Sequence, residues 1–195
     1  MGFIRNLLAI IGVIALIGGG YAYTKFGGEL NALNTLDPEA KNLYMNMWTK
    51  LKETGNSADA TVWKRQLDEG VSPEDAAEAM SSVATEVNIK AVGILPLSKE
   101  VEAKTGEKQR LLTIYQYCNP LTAVKMIEYS DAFSAYLPCR IALVEDKQGK
   151  FWLYSLDMDL MIHGGKTLPE ELFKEANAVK EVMLKLMEAG ATGEF

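Results

Sequence analysis

"CRIALVEDKQGKFWLYSLD", Cys139 to Asp157, consists of two alternating runs of apolar and polar residues flanking the polar segment Glu145 to Lys150. Alternation with a period of two gives each run one face to bury, and Gly149 can take the positive φ that a tight connection needs. The stretch therefore predicts an antiparallel hairpin, with Glu145-Asp146 as its polar shoulder. Upstream, "RLLTIYQYC", Arg110 to Cys118, has the aromatic and β-branched character of a strand. "IKAVGIL", Ile89 to Leu95, reads as a short strand closed by Pro96, and "TVWKRQLD", Thr61 to Asp68, as a weakly patterned one.

Helical segments lie between and after these runs. Ser72 as N-cap, Pro73 behind it and Asp75 in the capping-box position open a helix whose residues Ala76, Met80, Val83, Ala84 and Val87 share one face. Ser98 to Gly106 reads as a short surface helix, and Asn119-Pro120 caps another that runs to about Ser130. A last helix from Pro169 to about Glu188 places Leu172, Ala176, Val179, Met183, Leu186 and Met187 on one face, with Gly190 as its stop. The order is strand, helix, four strands, helix, with short helices on either side of the third strand. Such an order, with a hairpin in it, argues for an α+β domain whose two long helices pack on one face of an antiparallel sheet.

The N-terminus differs in kind. "LLAIIGVIALIGGGYAY", Leu7 to Tyr23, carries no charge, and Phe3, Ile4 and Phe26 extend it past Arg5 and Lys25. At about 1.5 Å per residue, residues 3–26 can cross a hydrocarbon core of roughly 30 Å. Arg5 and Lys25 then snorkel to the headgroups, with Tyr21, Tyr23 and Phe26 at the far interface. The competing reading is a cleaved signal peptide, with Gly20-Tyr21-Ala22 as a small-x-small site. A short tail before a large domain favours tail inside and domain outside, which places the body on the periplasmic side of a bacterial inner membrane. Gly27-Gly28 is expected to break or loosen this helix. Asp37-Pro38 starts another, in which Ala40, Leu43, Tyr44, Met47, Trp48 and Leu51 form one apolar stripe ended by Gly55. That stripe lies against its own domain, docks on another membrane subunit, or rests at the bilayer surface. The chain divides into an anchor over residues 1–27, a linker and amphipathic helix over 28–56, and a domain over 57–195.

Three segments of the C-terminal part resemble the domain-of-unknown-function-302 family of bacterial and archaeal proteins. They are Asn119-Pro120, "LPCR" at Leu137 to Arg140, and "VEDKQGKFWLY" at Val144 to Tyr154. The resemblance covers roughly residues 60–190 and implies a β-α-β4-α fold like that of TATA-binding-protein-like domains. It supplies no activity. Many relatives carry glycine before Asn-Pro and an apolar residue after Leu-Pro; here those positions are Cys118 and Cys139.

Composition narrows the function. A formal charge of −6 argues against a nucleic-acid partner, which needs a basic face. Two cysteines are too few for a disulfide-dense scaffold or a four-thiolate zinc site. A single histidine, with no nucleophile elbow, dinucleotide fingerprint or paired-carboxylate motif, argues against an enzyme. Cys118 ends one strand and Cys139 begins the next, so antiparallel neighbours bring both thiols to one end of the sheet. A disulfide there closes a loop of about 20 residues and stabilises by roughly 3 kcal/mol. Two unbonded buried thiols, or a metal, haem or redox-active pair, are the other readings. The segment "DMDLMIHGGK", Asp157 to Lys166, adds Met158, Met161 and His163, donors suited to copper or to an axial haem position, against plain packing and turn chemistry. The leading expectation is a membrane-anchored extracytoplasmic binding domain, an accessory subunit of a membrane protein complex, docked through Leu43, Tyr44, Met47, Trp48 and Leu51. It has the lipid bilayer and membrane protein subunits as partners and needs no cofactor. The alternative is a periplasmic metal, haem or thiol-redox protein using Cys118, Cys139 and the Met158-Met161-His163 segment. A third is an apolar-ligand binder on the uncovered sheet face, where Trp63, Trp152, Tyr115 or Tyr117 would lie.

Overall fold

The computed structural model describes residues 2–194. Its elements in order are α1 (Gly2–Leu33), α2 (Ala40–Thr54), α3 (Ser57–Ala60), β1 (Val62–Gln66), α4 (Pro73–Glu86), β2 (Lys90–Leu95) and α5 (Leu97–Thr105). Then follow β3 (Leu112–Cys118), α6 (Pro120–Tyr129), a 3-10 turn (Asp131–Tyr136), β4 (Cys139–Glu145), β5 (Phe151–Leu156), α7 (Asp159–Ile162) and α8 (Glu170–Thr192).

The hairpin forms where its alternation placed it, with Leu143 opposite Leu153 and Val144 opposite Trp152. Asp146 closes its turn, accepting backbone N–H bonds from Gln148 and Lys150 and the Trp152 indole N–H at 2.9 Å, while Gly149 sits at φ 78°. Five strands make one antiparallel sheet in the order β1-β5-β4-β3-β2. The fold is α+β. Both outer strands are edges, and on β2 the register shifts between Ala91 and Gly93, so that Val92 bulges out of the ladder.

One face of the sheet, carrying Ile141, Leu143 and Leu153, is fully buried under α4 and α8. The α4 capping box is complete: Asp75 N–H donates to Ser72 Oγ and Ser72 N–H donates to the Asp75 carboxylate. That helix buries Ala76, Met80, Val83 and Ala84. Register places Trp63, Tyr115 and Tyr117 on the helix-covered side, opposite Ser155, Ile141 and Cys139, whereas Trp152 faces the open side. Of the four aromatics offered as candidates for the uncovered face, Trp152 is the one that lies there.

Glycines at two places read as stops are not stops. α8 passes through Gly190, which is buried, and ends at Gly193 in the left-handed conformation. A Cβ at Gly190 would lie 2.8 Å from Met80 Cγ and 3.0 Å from Leu153 Cδ1, so the residue is small because α8, α4 and β5 meet there. α1 likewise continues through Gly27-Gly28 to Leu33, six residues beyond the expected anchor boundary at 27. It is long and apolar enough to cross a membrane, and none of its most apolar 18-residue window is buried.

The stripe on α2 is buried only at its start. Ala40 is 2% exposed, Leu43, Met47 and Leu51 are half-buried, and Tyr44 and Trp48 are exposed at 44% and 54%, with Met45 beside them at 55%. The helix opens at Ala40, two residues later than Asp37-Pro38 suggested, and Asp37 still accepts at its entry, its Oδ1 from the Glu39 N–H and its carbonyl from the Ala40 N–H. Gly55 ends it in the left-handed conformation, as expected.

Candidate functional site

The antiparallel pairing of β3 with β4 brings Cys139 opposite Tyr117, one residue from Cys118. Asn119 turns the chain out of β3 into α6 by accepting the Leu121 and Thr122 N–H bonds, and that helix returns Met126 over the strand ends. On the other side of β4, β5 runs into α7 and delivers Met158 and Met161 to the same place. Cys118, Cys139, Met126, Met158 and Met161 line a single cavity of about 30 Å³. The three methionines are all buried, at 2%, 3% and 7% exposure, and both cysteines are half-buried free thiols.

No charged side chain lines this cavity. Asn119 is engaged in its cap, and the Thr122 hydroxyl donates to Glu175 Oε2. Burial pushes the Cys139 thiol up to about 11, with the neighbouring Cys118 adding to the shift and Arg140 opposing it; burial also raises Cys118. Both groups are therefore protonated at neutral pH, which makes them poor nucleophiles.

His163 goes elsewhere. Its Nδ1–H donates to Asp37 Oδ1 at 2.8 Å, and the ring meets Phe173 edge-on at 5.6 Å between centroids. Asp37 N–H donates to the Gly165 carbonyl at 2.8 Å, and the Tyr44 hydroxyl donates to the Gly164 carbonyl. The Met158-Met161-His163 group is thus divided: its sulfurs join the cysteines, and its imidazole ties the start of α2 to the loop before α8. Burial alone would raise the Asp37 carboxyl. The hydrogen bonds from His163, the Glu39 N–H and Thr167 outweigh it and hold the group below the ordinary carboxylate range.

Beside this latch, Asn42, Asn46 and Lys50 of α2 face Asp157, Asp159 and Lys180 across a polar cleft of about 490 Å³. Lys180 Nζ donates to Asp159 Oδ1 at 2.6 Å. Burial raises the Asp157 carboxyl, and the adjacent Asp159 adds to it, although the Asp159 N–H bond works the other way. Among the described residues, no three of histidine, cysteine, aspartate and glutamate cluster as a metal site would need. Three of the five sulfurs in the cavity are thioethers, which lie outside that set.

Sequence reasoning brought Cys118 and Cys139 together and grouped them with Met158, Met161 and His163 in its alternative reading, but it missed Met126 and included His163, which lies elsewhere. Met126 is an unremarkable apolar position on a capped helix, so no local signal marks it. Asp37 and His163 lie 126 residues apart, and nothing but the fold brings them into contact.

The family model of the Domain of unknown function DUF302 matches residues 63–190. The chain belongs to that family. A crystal structure of an uncharacterised conserved DUF302 protein from Bacillus stearothermophilus superposes with a TM-score of 0.53 at 10% identity, covering 66% of this chain and 97% of that one. At that identity the likeness is one of fold. No curated protein matches the chain.

Proposed function

We propose that this chain is a membrane-anchored binding domain that serves as an accessory subunit of a membrane protein complex, with its DUF302 body on the extracytoplasmic side. The observation that carries the reading is the exposed face of α2. Tyr44, Met45 and Trp48 stand uncovered on a helix that begins seven residues after α1 ends. Buried inside a bilayer, α1 needs nothing further, but an aromatic and methionine surface just outside it is of the composition that protein interfaces favour. Lys41 and Lys52, one turn before and after Met45-Trp48, form a charged rim to that patch.

A photo-crosslinking residue in place of Trp48, in the full chain in its native membrane, tests this against the same residue in place of exposed Lys104 on α5. A discrete protein adduct from position 48 and none from position 104 is the expected result. Adducts with lipid alone, or equal adducts from both positions, would overturn it. An alkaline phosphatase fused to the C-terminus reads the side of the membrane, because that enzyme is active only where its disulfides form.

A further inference from the structure

We infer that the cavity shared by Cys118, Cys139, Met126, Met158 and Met161 is a site for one soft monovalent cation, Cu(I) in kind. Five sulfur-bearing side chains from four separate segments converge there: the end of β3, the start of β4, α6 and the β5–α7 passage. Thiolate and thioether sulfur select Cu(I) over harder ions. The space, about 30 Å³, suits a body the size of one water molecule and cannot admit a haem macrocycle.

Charge points the same way. With no charged group in the lining, the favoured complex is a neutral one, since a net charge left in an apolar cavity is expensive. Cu(I) bound by one thiolate and neutral sulfur donors sums to zero. The step is a simple exchange: one thiol releases its proton to solvent, a sulfur–copper bond forms, and no electron is transferred. Charges just outside the lining include Arg140, which follows Cys139, and Glu175, held by Thr122 and Lys125. Zinc would need two ionised thiols and favours imidazole or carboxylate to complete its tetrahedron, and neither lines the cavity. This site stands apart from the α2 face, so neither proposal depends on the other.

The test is competition between the reduced full-length chain in detergent and the Cu(I)–bicinchoninate complex. One Cu(I) per chain should transfer, with the ultraviolet charge-transfer absorption of a copper thiolate. Outer-shell losses in metal sites already weaken binding roughly 10–100-fold, so Cys118→Ser with Cys139→Ser should weaken it by more than about a hundredfold. Met158→Leu with Met161→Leu, near-isosteric and expected to keep the far-ultraviolet dichroism, should weaken it at least about tenfold. Failure of the reduced wild-type chain to withdraw Cu(I) would overturn the site. So would wild-type affinity in the methionine double variant, which would reduce the methionines to packing, or displacement of the copper by an equal concentration of Zn(II).

Discussion

The two halves of this molecule place the same kinds of side chain in opposite surroundings. In the sheet and its helices, Ile141 and Leu153 are fully buried. In α1 and on the outer side of α2, Ile14 and Trp48 are more than half exposed. The difference teaches where the information for each half resides. The body satisfies its apolar residues by itself, so its stability belongs to the chain. The N-terminal helices present theirs outward, so the chain itself leaves that apolar surface uncovered. Between the halves stands the buried hydrogen bond of His163 with Asp37, supported by the Tyr44 bond to Gly164.

That contrast can be tested by substitution. Leu153→Ala should have the largest effect, about 2–5 kcal/mol of unfolding free energy, because a fully buried side chain at the meeting of β5, α4 and α8 leaves a cavity. Urea denaturation of the full chain would read it, and a loss below about 1 kcal/mol would mean that the body is not the close-packed half. Asp37→Ala should cost less, about 1–3 kcal/mol, by leaving the His163 N–H, the Glu39 N–H and the Thr167 side chain without their acceptor. Its pH dependence has a definite sign. The folded carboxyl lies below its ordinary value of 3.8, so the wild-type advantage is complete above that pH and is lost as the pH falls through the depressed folded value. Denaturation of both proteins near neutrality and at roughly pH 3 should show the gap narrowing in acid, and a gap that widens there would refute the assignment. Trp48→Ala should be the smallest, within about 0.5 kcal/mol of wild type, since half-exposed positions away from special features rarely matter more. If it destabilised the body as Leu153→Ala does, the α2 face would belong to the core after all.

Much of the body was legible because its signals are local. The capping box at Ser72, the alternation around Gly149 and the Asn119 cap each involve residues within a few positions of one another, and all three form as read. Glycine misled at Gly190 and at Gly27-Gly28: tertiary packing overrides its preference for helix ends at the first, and at the second α1 runs on through Glu29-Leu30-Asn31-Ala32-Leu33. The sites were only half legible. Strand order places Cys118 near Cys139, but the convergence of Met126, Met158 and Met161 on them depends on how α6 and α7 lie over the sheet end. Long-range contacts of this sort leave no mark in periodicity. Trp63, Tyr115 and Tyr117 were ambiguous for a simpler reason: a shift of register by one residue exchanges the two faces of a strand.

The bulge at Val92 bears on how such a chain can live crowded. β2 is an edge strand with Val92, Ile94 and Leu95 exposed, and an edge of that kind invites another copy to continue the ladder. Chains anchored as proposed would share a thin layer on one membrane, where encounters are far more frequent and edges meet in similar orientations. The interrupted register denies a second strand its run of matched donors and acceptors. Straightening that edge by deleting Val92 would therefore be harmless in dilute solution and hazardous on a surface, where the tether itself would promote fibre-like stacking.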